Sequence, residues 1–140
     1  MRATNIQDNY FVSPQIQETD LETIAQAGFK IIICNRPDEE VHEGLRSKIM
    51  KPAVEKAGMA FYFLPLTFEN LTTGISKKQF DIVASTSAPV LAYCTTGSRC
   101  ALLWALSKVN ELEKEKILTV TANAGYNLTG LSDILTKTTK

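Results

Sequence analysis

Val90-Leu91-Ala92-Tyr93-Cys94-Thr95-Thr96-Gly97-Ser98-Arg99-Cys100-Ala101-Leu102-Leu103-Trp104-Ala105-Leu106 is the stretch that decides the fold. Val90 to Tyr93 follows Pro89 and predicts a strand; Cys94 to Arg99 is a tight polar loop; Cys100 to Val109 predicts a strongly apolar helix. A strand that feeds a polar loop and then a helix is half of a β-α-β unit, and the flanking sequence repeats that order. Upstream, Tyr10-Phe11-Val12-Ser13 reads as a strand, and a helix capped at Thr19 or Asp20 runs through Leu21, Ile24, Ala25 and Ala27 to Gly28. Lys30-Ile31-Ile32-Ile33-Cys34 is β-branched at consecutive positions, as in a strand covered on both faces, and it ends in the turn Asn35-Arg36-Pro37-Asp38. A helix over Leu45 to Lys56 is followed by Gly58, by the strand Ala60 to Leu64, and by a loop from Thr67 to Gly74. Ser76 then caps a helix to about Ser85. Downstream, Asn110 to Lys116 reads as a charged connector, and Leu131 to Leu135 as a closing helix after a Gly-Tyr-Asn turn.

Four strands alternating with helices predict an α/β, three-layer sandwich: a mostly parallel central sheet flanked by helices, with ligand crevices outside the carboxyl ends of the strands. Cys94 falls at such an end. The 140 residues suit a single domain, with Thr136 to Lys140 as a frayed tail.

Composition removes several classes of function. Fifteen Lys and Arg balance fifteen Asp and Glu, so there is no field of one sign to recruit nucleic acid or an anionic bilayer. The longest apolar run is Cys100 to Leu106, far short of a membrane span, and no apolar segment of signal-peptide length follows Met1. The expectation is a cytoplasmic protein without nucleic-acid or membrane partners. Three cysteines, Cys34, Cys94 and Cys100, are too few and odd in number for a disulfide framework, and their spacing offers no metal cage. No cofactor and no metal is expected; oligomeric state is not legible.

A cysteine between a buried strand and a helix receives two influences that favour the thiolate: the positive end of the helix dipole and the converging N–H groups of the loop. At an ordinary pKa only about 3% of a thiol is ionised at pH 7, so such a shift creates a nucleophile. Gly97 lets the chain wrap round an anion, and the Thr95, Thr96 and Ser98 hydroxyls can add donors. Arg99 supplies a planar fork able to chelate two oxygens of an oxyanion held over the sulfur. Cys94 and Arg99 are therefore the candidate catalytic pair. Arg36 and Asp38, at the end of the second strand, lie on the same sheet edge as Cys94 if the sheet is parallel, and either frame the pocket or form a structural turn. His42, the sole histidine, reads as a solvated loop residue, and Cys34 as core. Cys100 is either a small packing residue or a resolving thiol for an oxidised Cys94.

Cys94-Thr95-Thr96-Gly97-Ser98-Arg99, with Leu103-Trp104-Ala105-Leu106, resembles the Cys-x-x-Gly-x-Arg motif of the beta-lactamase hydrolase-like, phosphatase-like domain family, related to dual-specificity and tyrosine phosphatases. Val12 to Ile16, Ala27-Gly28-Phe29, Asn35 to Glu39 and Asn123 to Leu128 also look like that family's pattern, so the resemblance covers roughly residues 5 to 135. It implies a cysteine phosphatase-like fold and a hydrolase that acts on a small anionic substrate or a phosphorylated protein through a Cys94 thiophosphate. Ordinary cysteine phosphatases place one residue more between cysteine and arginine than the four found here. A loop of this length is the size used by rhodanese-type sulfurtransferases, which would make Cys94 a persulfide carrier; a non-catalytic anion-binding module is a third possibility. Phosphatases also take a general-acid Asp from an upstream loop, and in Leu64 to Asn70 only Glu69 is a carboxylate. Tyr93 stands where the common phosphatase motif has His.

Overall fold

A computed structural model of the chain describes residues 2–70 and 74–135. The tail expected to fray, Thr136 to Lys140, lies outside them. Five strands form one sheet: β1 (Thr4–Gln7), β2 (Tyr10–Ser13), β3 (Ile31–Cys34), β4 (Ala60–Phe63) and β5 (Val90–Tyr93), in the order β1-β2-β5-β3-β4. The last four are parallel and in register, so that Ser13, Tyr93, Cys34 and Phe63 stand in one row at their carboxyl ends. Helices α1 (Leu21–Gln26), α2 (Ser47–Lys56), α3 (Ile75–Ala84), α4 (Ser98–Ser107) and α5 (Lys114–Asn123) cover the sheet.

The consecutive apolar residues of the central strands divide between two cores, because side chains alternate across a sheet. Ile31, Ile33, Val90, Ala92 and Cys94 join α3, α4 and α5 on one face. Ile32, Cys34, Leu91 and Tyr93 join α1 and α2 on the other. The three-layer, mostly parallel α/β sandwich is the observed architecture. Among the described residues no helix is long and apolar enough to cross a membrane.

Four local readings need correction. β1 pairs antiparallel with β2 through an irregular register, around Asp8 at φ 53°, and the Asn5 side-chain amide donates to the carbonyls of Asp8 and Tyr10. Only Ile6 of this strand is buried, too little apolar signal to mark it. Lys114 to Lys116, expected as connector, begins α5, which is anchored by buried Ile117 and Thr121. Helix α3 starts at Ile75 after Gly74, and the Ser76 hydroxyl donates to the Leu103 carbonyl (2.9 Å) instead of capping. The closing segment is a 3-10 turn over Thr129–Ile134.

Candidate active site

Cys94 is the first residue beyond β5. Its amide donates to the Ser13 carbonyl (3.4 Å), which places it on the parallel row of strand ends, and it is only 1% exposed. Gly97, at φ 97°, turns the chain into α4. This φ is in the left-handed region, where a side chain is strained. The turn aims the Gly97 N–H at the Cys94 sulfur (3.1 Å).

The thiol pKa of Cys94 is lowered to about 5. The largest cause is the Cys100 thiol, which donates to it; burial opposes; the backbone N–H groups of Cys100, Arg99 and Gly97 lower it further. Cys94 is therefore ionised at neutral pH. The amides are legible in the sequence; the thiol donor is not, since Cys100 reads there as a small packing residue or a resolving thiol. Cys100 is itself held protonated, its pKa raised well above the ordinary value by burial and by the neighbouring Cys94. The two neighbouring thiols are thus held in opposite protonation states.

Arg99 is clamped from one side. Its Nη2 donates to Glu40 Oε2 at 2.7 Å, and Glu40 Oε1 lies 3.5 Å from Arg36 Nε. Arg36 in turn donates from Nη1 to Gln15 Oε1 (3.0 Å) and from Nη2 to the Glu40 carbonyl (3.1 Å). Arg36 thus joins the site through Glu40. Arg99 Nη1 is buried without a hydrogen-bond partner among the described residues. A buried guanidinium nitrogen left unpaired is costly, and an oxyanion would satisfy it.

The other predicted residues divide. Thr95 is exposed, and at the start of α4 Thr96 accepts the Ser98 amide (3.2 Å) and donates to the Ser98 hydroxyl (3.0 Å). Asp38 takes the structural option: its two carboxylate oxygens accept the Ser47 amide (2.8 Å) and hydroxyl (2.7 Å), capping α2. Glu69 is exposed in the turn Phe68–Asn70, which Asn70 holds through the Thr67 amide and the Pro65 carbonyl. His42 is exposed between two turns. Tyr93 points to the sheet face opposite Cys94, beside Cys34.

Beneath the site runs a polar chain that the sequence did not announce. Asn35 and Gln79 exchange amide hydrogen bonds (2.7 and 3.0 Å), Gln79 donates to the Tyr10 hydroxyl (2.9 Å), and Tyr10 donates to the Cys100 carbonyl (2.8 Å). Asn35 also donates to the Leu64 carbonyl (2.8 Å), and its own carbonyl accepts the Leu66 amide (2.9 Å). The first turn of α4 and the loop that carries Glu69 thus share one buried support. Gln15, which accepts from Arg36, and Tyr126, whose hydroxyl donates to the Thr96 carbonyl, fall in blocks that the family resemblance marks without giving a role.

A mostly parallel α/β core with a buried cysteine at the end of a central strand and the amide of Gly97 turned to its sulfur has the architecture of a cysteine phosphatase-like fold. The core catalytic domain of the PP-IP phosphatase SIW14 from S. cerevisiae, solved with citrate, superposes on it with a TM-score of 0.64 at 17% identity, covering 93% of this chain and 80% of that one. The chain belongs to the beta-lactamase hydrolase-like protein, phosphatase-like domain family, whose model matches residues 3–111. A candidate phosphatase from Neisseria meningitidis Z2491 is 33% identical, with a TM-score of 0.83 over 94% of both chains. The beta-lactamase hydrolase-like protein of Xylella fastidiosa strain 9a5c is 26% identical over 130 residues, which are 91% of this chain but 30% of that protein. The chain thus spans about a third of the length of such curated relatives.

Proposed function

We propose that this phosphatase-like domain hydrolyses phosphomonoesters, phosphotyrosine among them, through a thiophosphate intermediate on Cys94. One observation carries the reading: a buried cysteine held as thiolate, with pKa about 5, beside an arginine that keeps one buried nitrogen unpaired. The thiolate attacks phosphorus, the S–P bond forms, and the P–O bond to the leaving group breaks. The departing oxygen takes a proton from Glu69 or from water. Water then attacks phosphorus and gives up a proton to the Glu69 carboxylate or to solvent, the S–P bond breaks, and inorganic phosphate leaves with Cys94 again a thiolate. Arg99 Nη1 and the amides of the loop hold the oxygens as charge develops on them. Glu69 is the proposed general acid because it is the carboxylate on the loop that Asn35 ties to the site.

The loop length supports a second reading, sulfur transfer, in which the Cys94 thiolate takes the sulfane sulfur of thiosulfate as a persulfide, releasing sulfite, and passes it to cyanide as thiocyanate with the thiolate restored. A parallel assay of the protein and Cys94→Ser against an aryl phosphate and against thiosulfate plus cyanide separates the two. Phosphate release that disappears in the variant is the expected result. Thiocyanate formation without phosphate release overturns the phosphatase reading, and inactivity in both assays leaves an anion-binding module.

A further inference from the structure

The peptide unit between Thr96 and Gly97 is bonded on both sides. Its N–H, from Gly97, donates to the Cys94 sulfur at 3.1 Å, and its C=O, from Thr96, accepts the Tyr126 hydroxyl at 3.1 Å. The two groups of a trans peptide point in opposite directions, so fixing one fixes the other. Gly97 has the conformational freedom to reach φ 97°, and the same freedom lets the peptide before it rotate. Something outside the loop must therefore select the orientation that faces the sulfur.

Tyr126 has the placement to do so. It follows α5, its own amide donates to the Thr121 carbonyl (2.8 Å), and its ring packs against the core cluster that contains Cys94 and Cys100. The hydroxyl lies directly against Gly97: a Cβ built there would collide with it. Loop and tyrosine fill each other's space, and the position at 97 has no room for a side chain. Tyr126 also lies beyond residues 3–111, the segment matched by the family model.

We infer that Tyr126 is a positioning residue for the Cys94 nucleophile: its hydroxyl, bonded to the Thr96 carbonyl, holds the Thr96–Gly97 peptide with the N–H turned to the sulfur. The hydrogen bond on the carbonyl also polarises the peptide and strengthens its N–H as a donor. The inference rests on Cys94 being the reactive centre of the proposed reaction, yet its test uses no turnover.

Tyr126→Phe keeps the ring and removes only the donor. Alkylation of Cys94 by iodoacetamide, followed across pH in the parent and the variant, reads the thiolate directly. The midpoint is expected to rise by about one pH unit, a tenfold loss of thiolate below the midpoint, while the unfolding temperature stays close to the parent's. The Gly97 amide resonance in ¹H–¹⁵N spectra gives a second readout of the peptide. It should titrate with Cys94 in the parent and lose that titration in the variant, even if the variant is less stable. An unchanged alkylation midpoint, or a Gly97 amide that still follows Cys94 in Tyr126→Phe, overturns the assignment. Failure of the parent to release phosphate would sink the hydrolase reading and leave both of these readouts intact.

Discussion

Cys34 and Cys94 are two buried thiols at the carboxyl ends of neighbouring parallel strands, and they hold their protons in opposite ways. Cys34 ends β3, faces the α1–α2 core and donates to the Arg36 carbonyl at 3.3 Å; burial pushes its pKa up. Cys94, one residue past β5, faces the other core and accepts from the Gly97 amide and the Cys100 thiol, and its pKa falls to about 5. Burial acts in the same direction on both. What differs is the chain after the strand. Asn35-Arg36-Pro37 turns a carbonyl toward its sulfur, and Thr95-Thr96-Gly97 turns an amide. A strand-end cysteine becomes a thiolate through the donors that the following loop and helix aim at it.

The largest effect that sharpens this contrast should come from Arg99. Arg99→Lys keeps a positive charge but loses the planar fork, one arm of which is anchored on Glu40 while the other is unpaired. Aryl phosphate hydrolysis should fall by about 10²-fold in kcat/KM while the Cys94 alkylation midpoint stays near the parent's. A drop of less than threefold would remove Arg99 from the chemistry.

Cys100 provides the next test, because it can be altered with or without its donor. Cys100→Ala should raise the Cys94 midpoint by about one to two pH units, and Cys100→Ser, which keeps an O–H, should restore most of that shift. Equal midpoints in Ala and Ser variants would show that the thiol donates nothing. The smallest effect belongs to Cys34. Cys34→Ala should cost about 1 kcal/mol of stability, measured by urea unfolding, and leave both the Cys94 midpoint and turnover unchanged. A shifted Cys94 midpoint in that variant would mean that the two thiols are not independent.

The division between what the sequence discloses and what it conceals follows chain distance. Strands β2 to β5 are legible because each is a short apolar run, and three isoleucines in a row can only be satisfied by cover on both sheet faces. β1 carries one buried residue, and the first turn of α5 is the charged run Lys114-Glu115-Lys116, so no apolar run marks where either begins. In the site, Cys94, Gly97 and Arg99 are legible because strand, loop and helix are contiguous. Glu40, Gln79 and Tyr126 reach the same loop, or its support, from other elements, and only the folded chain brings them there. Asp38 is the converse case: the sequence places it at the correct edge of the sheet and leaves two roles open, and the fold takes up its carboxylate in a helix cap.

The central claim is that Cys94 is a thiolate at neutral pH, and alkylation rate against pH, with the modified residue identified by peptide mass, tests it most directly. A lowered pKa means that the reactive form is present above the midpoint and lost as pH falls through it. The rate at Cys94 should therefore be on its plateau by pH 7, with a midpoint near 5, while Cys34 and Cys100 stay unmodified in the folded protein. A Cys94 midpoint at an ordinary alkaline thiol value of about 8.5 would contradict the account.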